Sequence, residues 1–147
     1  MSASDPKRIL STRRLMEPTK IDPVWPNALR WFLSQGLTRF TPWHFLSDAS
    51  DFAFASRAFQ REDVSGGEVF VFAGRQDCDD FAGLLVVDGR ITDRVVYFHP
   101  VFADSSQPSP RTWNIVCDAY EDVFDFVKAR VIEDMKDWAL VEDAADL

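Results

Sequence analysis

A chain of 147 residues that is 46% hydrophobic and 14% aromatic, with thirteen Phe and five Trp, holds enough apolar material for one buried core, which excludes disorder throughout. Its formal charge of −8 is uneven: residues 1–20 carry five Lys/Arg against two Asp/Glu, a net +3, leaving −11 on residues 21–147. An acidic body of this kind repels phosphate backbones, so direct nucleic-acid binding is disfavoured, while encounter with a basic protein is accelerated; the plainer alternative is that the charge keeps the protein soluble. There is no 18-residue apolar run, no signal-peptide core and only two cysteines, Cys78 and Cys117, at a spacing that suits neither a disulfide framework nor a metal site. We therefore expect a cytoplasmic protein.

Residues 1–20 mix Ser, Pro and alternating charge and read as a mobile N-terminal arm; residues 21–147 form the domain. A first helix is predicted from Pro26 to Gln35, with Leu29, Phe32 and Leu33 as its apolar stripe, Gly36 as its stop and Leu37 placed for a Schellman-type cap. Thr41-Pro42 precedes a short helical turn at Trp43–Leu46. A second helix then starts near Ser47 or Ser50, reaches about Glu62 and buries Phe52, Ala55 and Phe59. Ser65-Gly66-Gly67 ends that pattern.

Three strand-length apolar runs follow, Val69–Ala73, Phe81–Val87 and Val95–Phe98. Their connections, Gly74–Asp80 and Asp88–Arg94, are too short for a crossover helix, so the runs predict an antiparallel meander. None alternates between polar and apolar, which predicts a sheet covered on both faces. Ala103–Arg111 reads as a surface loop and Thr112–Cys117 as a further strand. Asp118, with Glu121 three residues on, resembles a capping box opening a long C-terminal helix, whose stripe is Tyr120, Val123, Phe124, Val127, Val131, Met135 and Trp138. Its other face carries Glu121, Asp122, Asp125, Glu133, Asp134 and Asp137 against Lys128 and Lys136, a solvated face or a docking surface for a basic partner. The fold class is α+β: one domain, a mainly antiparallel or mixed sheet of at least three strands, flanked by helices.

Chemistry-bearing patterns are sparse. Asp77-Cys78-Asp79-Asp80 is an acidic knot in a turn, but it lacks the alternating ligands, central Gly and distal Glu of a calcium loop. His44 and His99 are the only histidines, too few for a zinc site of several imidazoles, and Gly66-Gly67 is no phosphate-binding loop. Trp25, Trp31 and Trp43 line either a groove or the core. We expect no catalytic residues, no cofactor and no metal. Asp77, Asp79, Asp80, Asp122, Asp125 and Glu133 are the candidate partner-binding residues.

Four segments resemble the SUKH superfamily, the group containing the yeast regulator of cell-wall synthesis and killer-toxin resistance and many bacterial relatives. They are Trp25-Pro26 with Trp31-Phe32-Leu33 and Gly36; Val71-Phe72-Ala73 with Asp79-Asp80-Phe81-Ala82; the Asp88-Gly89 turn with the apolar strand after it; and Tyr120-Glu121-Asp122-Val123-Phe124. The resemblance implies an α+β domain with no active site. It further implies a function like that of bacterial immunity proteins, which neutralise a toxin, often a nuclease, by binding it. The partner is then a basic toxin domain. A regulatory scaffold that binds several cellular proteins is the alternative, and a small hydrolase using His44 or His99 with a carboxylate is the third reading.

Overall fold

The computed structural model describes residues 21–46, 49–102 and 114–147. The arm expected over residues 1–20, the helix start at Ser47, the loop at Ala103–Arg111 and the strand start at Thr112 lie outside the described residues.

Helix α1 is Asn27–Ser34, with Pro26 at its N-cap and Ala28, Leu29, Phe32 and Leu33 buried. It ends in a Schellman motif, because Gly36 adopts φ 72° and the amides of Gly36 and Leu37 donate to the carbonyls of Leu33 (3.1 Å) and Phe32 (2.9 Å). Strands β1 (Arg39–Phe40) and β2 (Trp43–Phe45) form a hairpin. The helical turn expected at Trp43–Leu46 is thus corrected to a strand. Trp43 and Phe45 are buried while His44 is half-buried, a two-residue period, and pairing of β2 with the next strand decides what four residues alone leave ambiguous.

Helix α2 is Ala49–Glu62, and it buries the expected Phe52, Ala55 and Phe59. Strands β3 (Glu68–Arg75), β4 (Phe81–Val87) and β5 (Arg90–Phe98) form the expected meander. The second connection is tighter than expected. Asp88 and Gly89 take φ of 52° and 76°, the two left-handed positions of a two-residue hairpin, so Ile91–Arg94 belong to the strand.

Strand β6 is Val116–Tyr120, four residues further on than expected, with Asn114 and Ile115 outside it. Asp118 and Tyr120 pair with Tyr97 and Val95, so sheet pairing overrides the capping tendency of Asp118. The cap belongs to Asp122, whose carboxylate accepts the Asp125 amide at 2.9 Å. From there the C-terminal helix α3 runs as an α-helix over Val123–Phe126, a π-turn over Val127–Val131 and an α-helix over Ile132–Ala139.

The fold is α+β: a six-stranded antiparallel sheet in the order β1-β2-β3-β4-β5-β6 among the described residues. One face packs Val69, Val71, Phe81, Val96 and Phe98 against α2. The other packs Phe72, Leu84, Val95 and Tyr97 against α1 and α3. Burial on both faces explains why the strand sequences do not alternate.

The buried stripe of α3 differs from the expected one. Val123, Val127 and Val131 face inward as expected, but Phe126 and Asp134 join them, while Phe124 is 47% exposed and Met135 lies at the surface. Phe126 meets Trp43, Phe72 and Tyr120 with ring centroids 5.1, 5.9 and 5.5 Å away; Phe124 touches only the rim, near Phe32 at 5.2 Å. Phe126→Ala is expected to destabilise the fold by about 3–5 kcal/mol and Phe124→Ala by about 1 kcal/mol or less, measured by urea unfolding.

Candidate functional site

The polar groups of the domain gather at the end of the sheet where β3 turns into β4. Arg75, the last residue of β3, grips Asp77 through Nε to Oδ1 (2.8 Å) and Nη2 to Oδ2 (2.9 Å), and its third nitrogen, Nη1, reaches Asp134 Oδ2 at 3.1 Å. Asp134 also accepts the Trp43 indole N–H (2.9 Å) and a bond from Arg130 Nη1 (3.3 Å). With 8% exposure it is a buried carboxylate served by donors from β2, β3 and α3. Asp134 was expected on the solvated face of α3. The correction has a plain cause: a charge can turn inward only where several donors meet it, and here three do.

Arg130 continues the network by lying 5.0 Å over the Tyr97 ring. Tyr97 of β5 and His99, one residue past its end, share Asp80: the phenol donates to Oδ2 at 2.6 Å and His99 Nδ1 lies 2.6 Å from Oδ1. The acidic turn is therefore held at both ends, Asp77 by Arg75 and Asp80 by Tyr97 and His99. Asp79, between them, is exposed and has no ion-pair partner among the described residues.

Titration follows from these contacts. The guanidinium bond from Arg75 holds Asp77 below the ordinary carboxylate range, and the same bond raises Arg75. Partial desolvation, then the nearby carboxylates of Asp80 and Asp77, pushes the Cys78 thiol up to about 11. Burial likewise raises Cys117, and burial followed by the bond to Asp80 raises Tyr97. Neither thiol is ionised near neutral pH, so neither is an activated nucleophile.

On the opposite face of the same end, His44, Asp51, Gln76, Cys78 and Asp79 contribute to an open polar depression of about 460 Å³. The His44 ring meets the Gln76 amide, Nε2 to Oε1 at 2.5 Å. Among the described residues, no group of three or more His, Cys, Asp or Glu is placed to hold a metal ion, and no helix is long and apolar enough to cross a membrane.

Of the six candidate partner-binding residues, Asp77, Asp79 and Asp80 share the turn. Glu133 is next in sequence to Asp134, which shares Arg75 with Asp77, so it belongs to the same end. Asp122 and Asp125 sit at the opposite end of α3; twelve residues of helix from Asp122 to Asp134 span about 18 Å. Trp43 is fully buried, Trp25 half-buried against Phe70 and Trp31 exposed. Arg75, Arg130, Tyr97 and Asp134 escaped the sequence reading. Trp43 and Asp134 lie 91 positions apart, and the one local signal is that Asp134 continues the i, i+4, i+8, i+11 line of Val123, Val127 and Val131. No protein family, curated protein or solved structure matches the chain.

Asp134→Ala removes the acceptor of the buried Trp43 indole N–H and one acceptor each from Arg75, which keeps Asp77, and Arg130. It is expected to destabilise the domain by about 3–5 kcal/mol in urea unfolding, with Asp134→Asn costing less. For Asp77 the folded state binds its proton less readily than the unfolded chain. Its stabilisation is therefore complete above the ordinary carboxylate range and is lost as pH falls through the lowered folded value. Unfolding curves of the native protein and Asp77→Asn should differ by a constant amount down to about pH 4 and converge below it.

Proposed function

We propose that this domain acts by binding a basic protein, in the manner of the bacterial immunity proteins of the SUKH superfamily that its sequence resembles, and that it carries out no chemistry of its own. The observation that carries this reading is the presentation of the acidic turn. Asp77 and Asp80 are each fixed by charge-assisted or short hydrogen bonds, and Asp79 stands outward between them. A surface already ordered loses little side-chain entropy on association. Protonated thiols and a His44 ring engaged with an amide support the same reading, since a reaction centre needs an activated nucleophile or a base poised beside one.

Asp79 and Glu133, with the net −11 of residues 21–147 behind them, would meet the Lys and Arg side chains with which a nuclease toxin holds phosphate. Such contacts raise association rate and selectivity more than they slow dissociation. Coexpression with the product of the neighbouring reading frame should yield a copurifying pair and restore growth. The double variant Asp79→Lys/Glu133→Lys should slow association by about tenfold or more at low salt while leaving dissociation little changed. Failure to form any complex at low salt would sink the proposal.

A further inference from the structure

At the other end of β3, part of its outer edge has no paired strand among the described residues. Strand β2 pairs only with Ala73, Gly74 and Arg75; Leu46, at φ 48°, makes one last bond to the Phe72 carbonyl (2.8 Å) and turns the chain away. Among the described residues no strand pairs with Glu68–Val71 on that side. The amide of Val71 points off this edge, for it donates to Ser56 Oγ of α2 at 3.2 Å. Val69, two residues earlier, presents its amide and carbonyl on the same edge.

This edge is the floor of an open groove of about 720 Å³. Trp25 and Phe70, their ring centroids 5.4 Å apart, form one wall, and Phe52 and Ala53 of α2 belong to the other. Glu68 is the single ionisable group among the described lining residues.

We infer that the groove receives one extended peptide segment, which adds as a strand antiparallel to β3 and in line with β2, with apolar side chains on alternate positions and a Lys or Arg opposite Glu68. Three observations favour this occupant. The Val71 amide is held by Ser56, but the Val69 amide and carbonyl meet no strand on this edge among the described residues, and another strand would match them, whereas a compact apolar ligand would fill the walls and leave them unmet. Trp25 and Phe70 on one side and Phe52 and Ala53 on the other make the site a slot open along the strand edge rather than a closed cavity. Glu68, on a strongly acidic body, selects for positive charge. The surface is distinct from the acidic turn, so this inference and the preceding proposal fail independently.

The probe is the peptide acetyl-Thr-Val-Lys-Val-Thr-Val-amide, titrated into the full chain labelled with nitrogen-15. Binding is expected to shift the amide resonances of Glu68, Val69 and Val71 and to slow hydrogen exchange at Val69. N-methylation of the alternate peptide amides that face β3 should weaken binding by about tenfold or more, since each lost backbone bond leaves an unmet partner. Glu68→Lys should weaken binding of the lysine peptide by about tenfold and favour the version with Glu in place of Lys. The inference is overturned by absence of binding at millimolar peptide, by equal affinity of the N-methylated peptide, or by shifts that fall on Asp77–Asp80 instead.

Discussion

The carboxylate of Asp134 is the constraint from which the rest of the architecture follows. A charge with 8% exposure survives only if donors replace the water it has lost, and these come from Trp43 on β2, Arg75 on β3 and Arg130 on α3 itself. The bonds tie the last helix to two strands that lie next to each other in the sheet but far away in the chain. An apolar residue of similar size would fill the same space with no desolvation penalty, and buried ion clusters are often replaceable in that way. What it would not supply is direction. Rotating α3 by one residue would turn Asp134 away from Arg75 and the Trp43 indole, leaving buried donors unmet, besides moving Phe126 out of its place against Trp43 and Phe72. The cluster and the apolar contacts of Phe126 therefore favour the same rotational register of α3 on the sheet.

Arg75 carries that constraint from the core to the surface. Two of its nitrogens hold Asp77 and the third holds Asp134, so the angle of the acidic turn is fixed by the same side chain that fixes the helix. Tyr97 does a similar job on the other side, between Arg130 above its ring and Asp80 at its hydroxyl. The C-terminal end of α2 repeats the device. Glu62 accepts the Val101 amide at 2.7 Å and Asp63 accepts those of Ile115 (3.1 Å) and Ser65 (3.0 Å), so two inward carboxylates anchor the segments that follow β5 and precede β6. In this protein acidity is structural as well as superficial, and composition alone does not separate the two.

That distinction explains which parts of the molecule were legible in the sequence. The three central strands, α1 with its Gly36 stop and the inward face of α2 could be read directly, because local period and turn chemistry agree with the final packing. Misreadings fell where long-range contacts arbitrate between local options. Trp43–Phe45 is a strand because β3 pairs with it, and Asp118 lies in β6 because β5 pairs with it. Phe126 rather than Phe124 is buried, since two aromatic positions two residues apart point to nearly opposite sides of a helix and only the sheet decides which side faces inward. The acidic turn was visible as a cluster of Asp, and His99 as one of two histidines; the clasp was not, because Arg75, Tyr97 and Asp134 look like ordinary residues until the fold brings them together.

The two surfaces also constrain each other. The groove lies along Glu68–Val71 and the acidic turn begins beyond Arg75, so both are built on β3, at opposite ends of an eight-residue strand about 23 Å long. A single compact side-chain cluster on a partner cannot reach both. A partner that uses both must run an extended segment along the groove and set a separate basic patch on the turn, which makes the two contacts a bivalent pair whose joint affinity depends on the span between them. The length of β3, and the brevity of β2 that leaves half of it without a paired strand on that side among the described residues, thus set the spacing between the groove and the acidic turn.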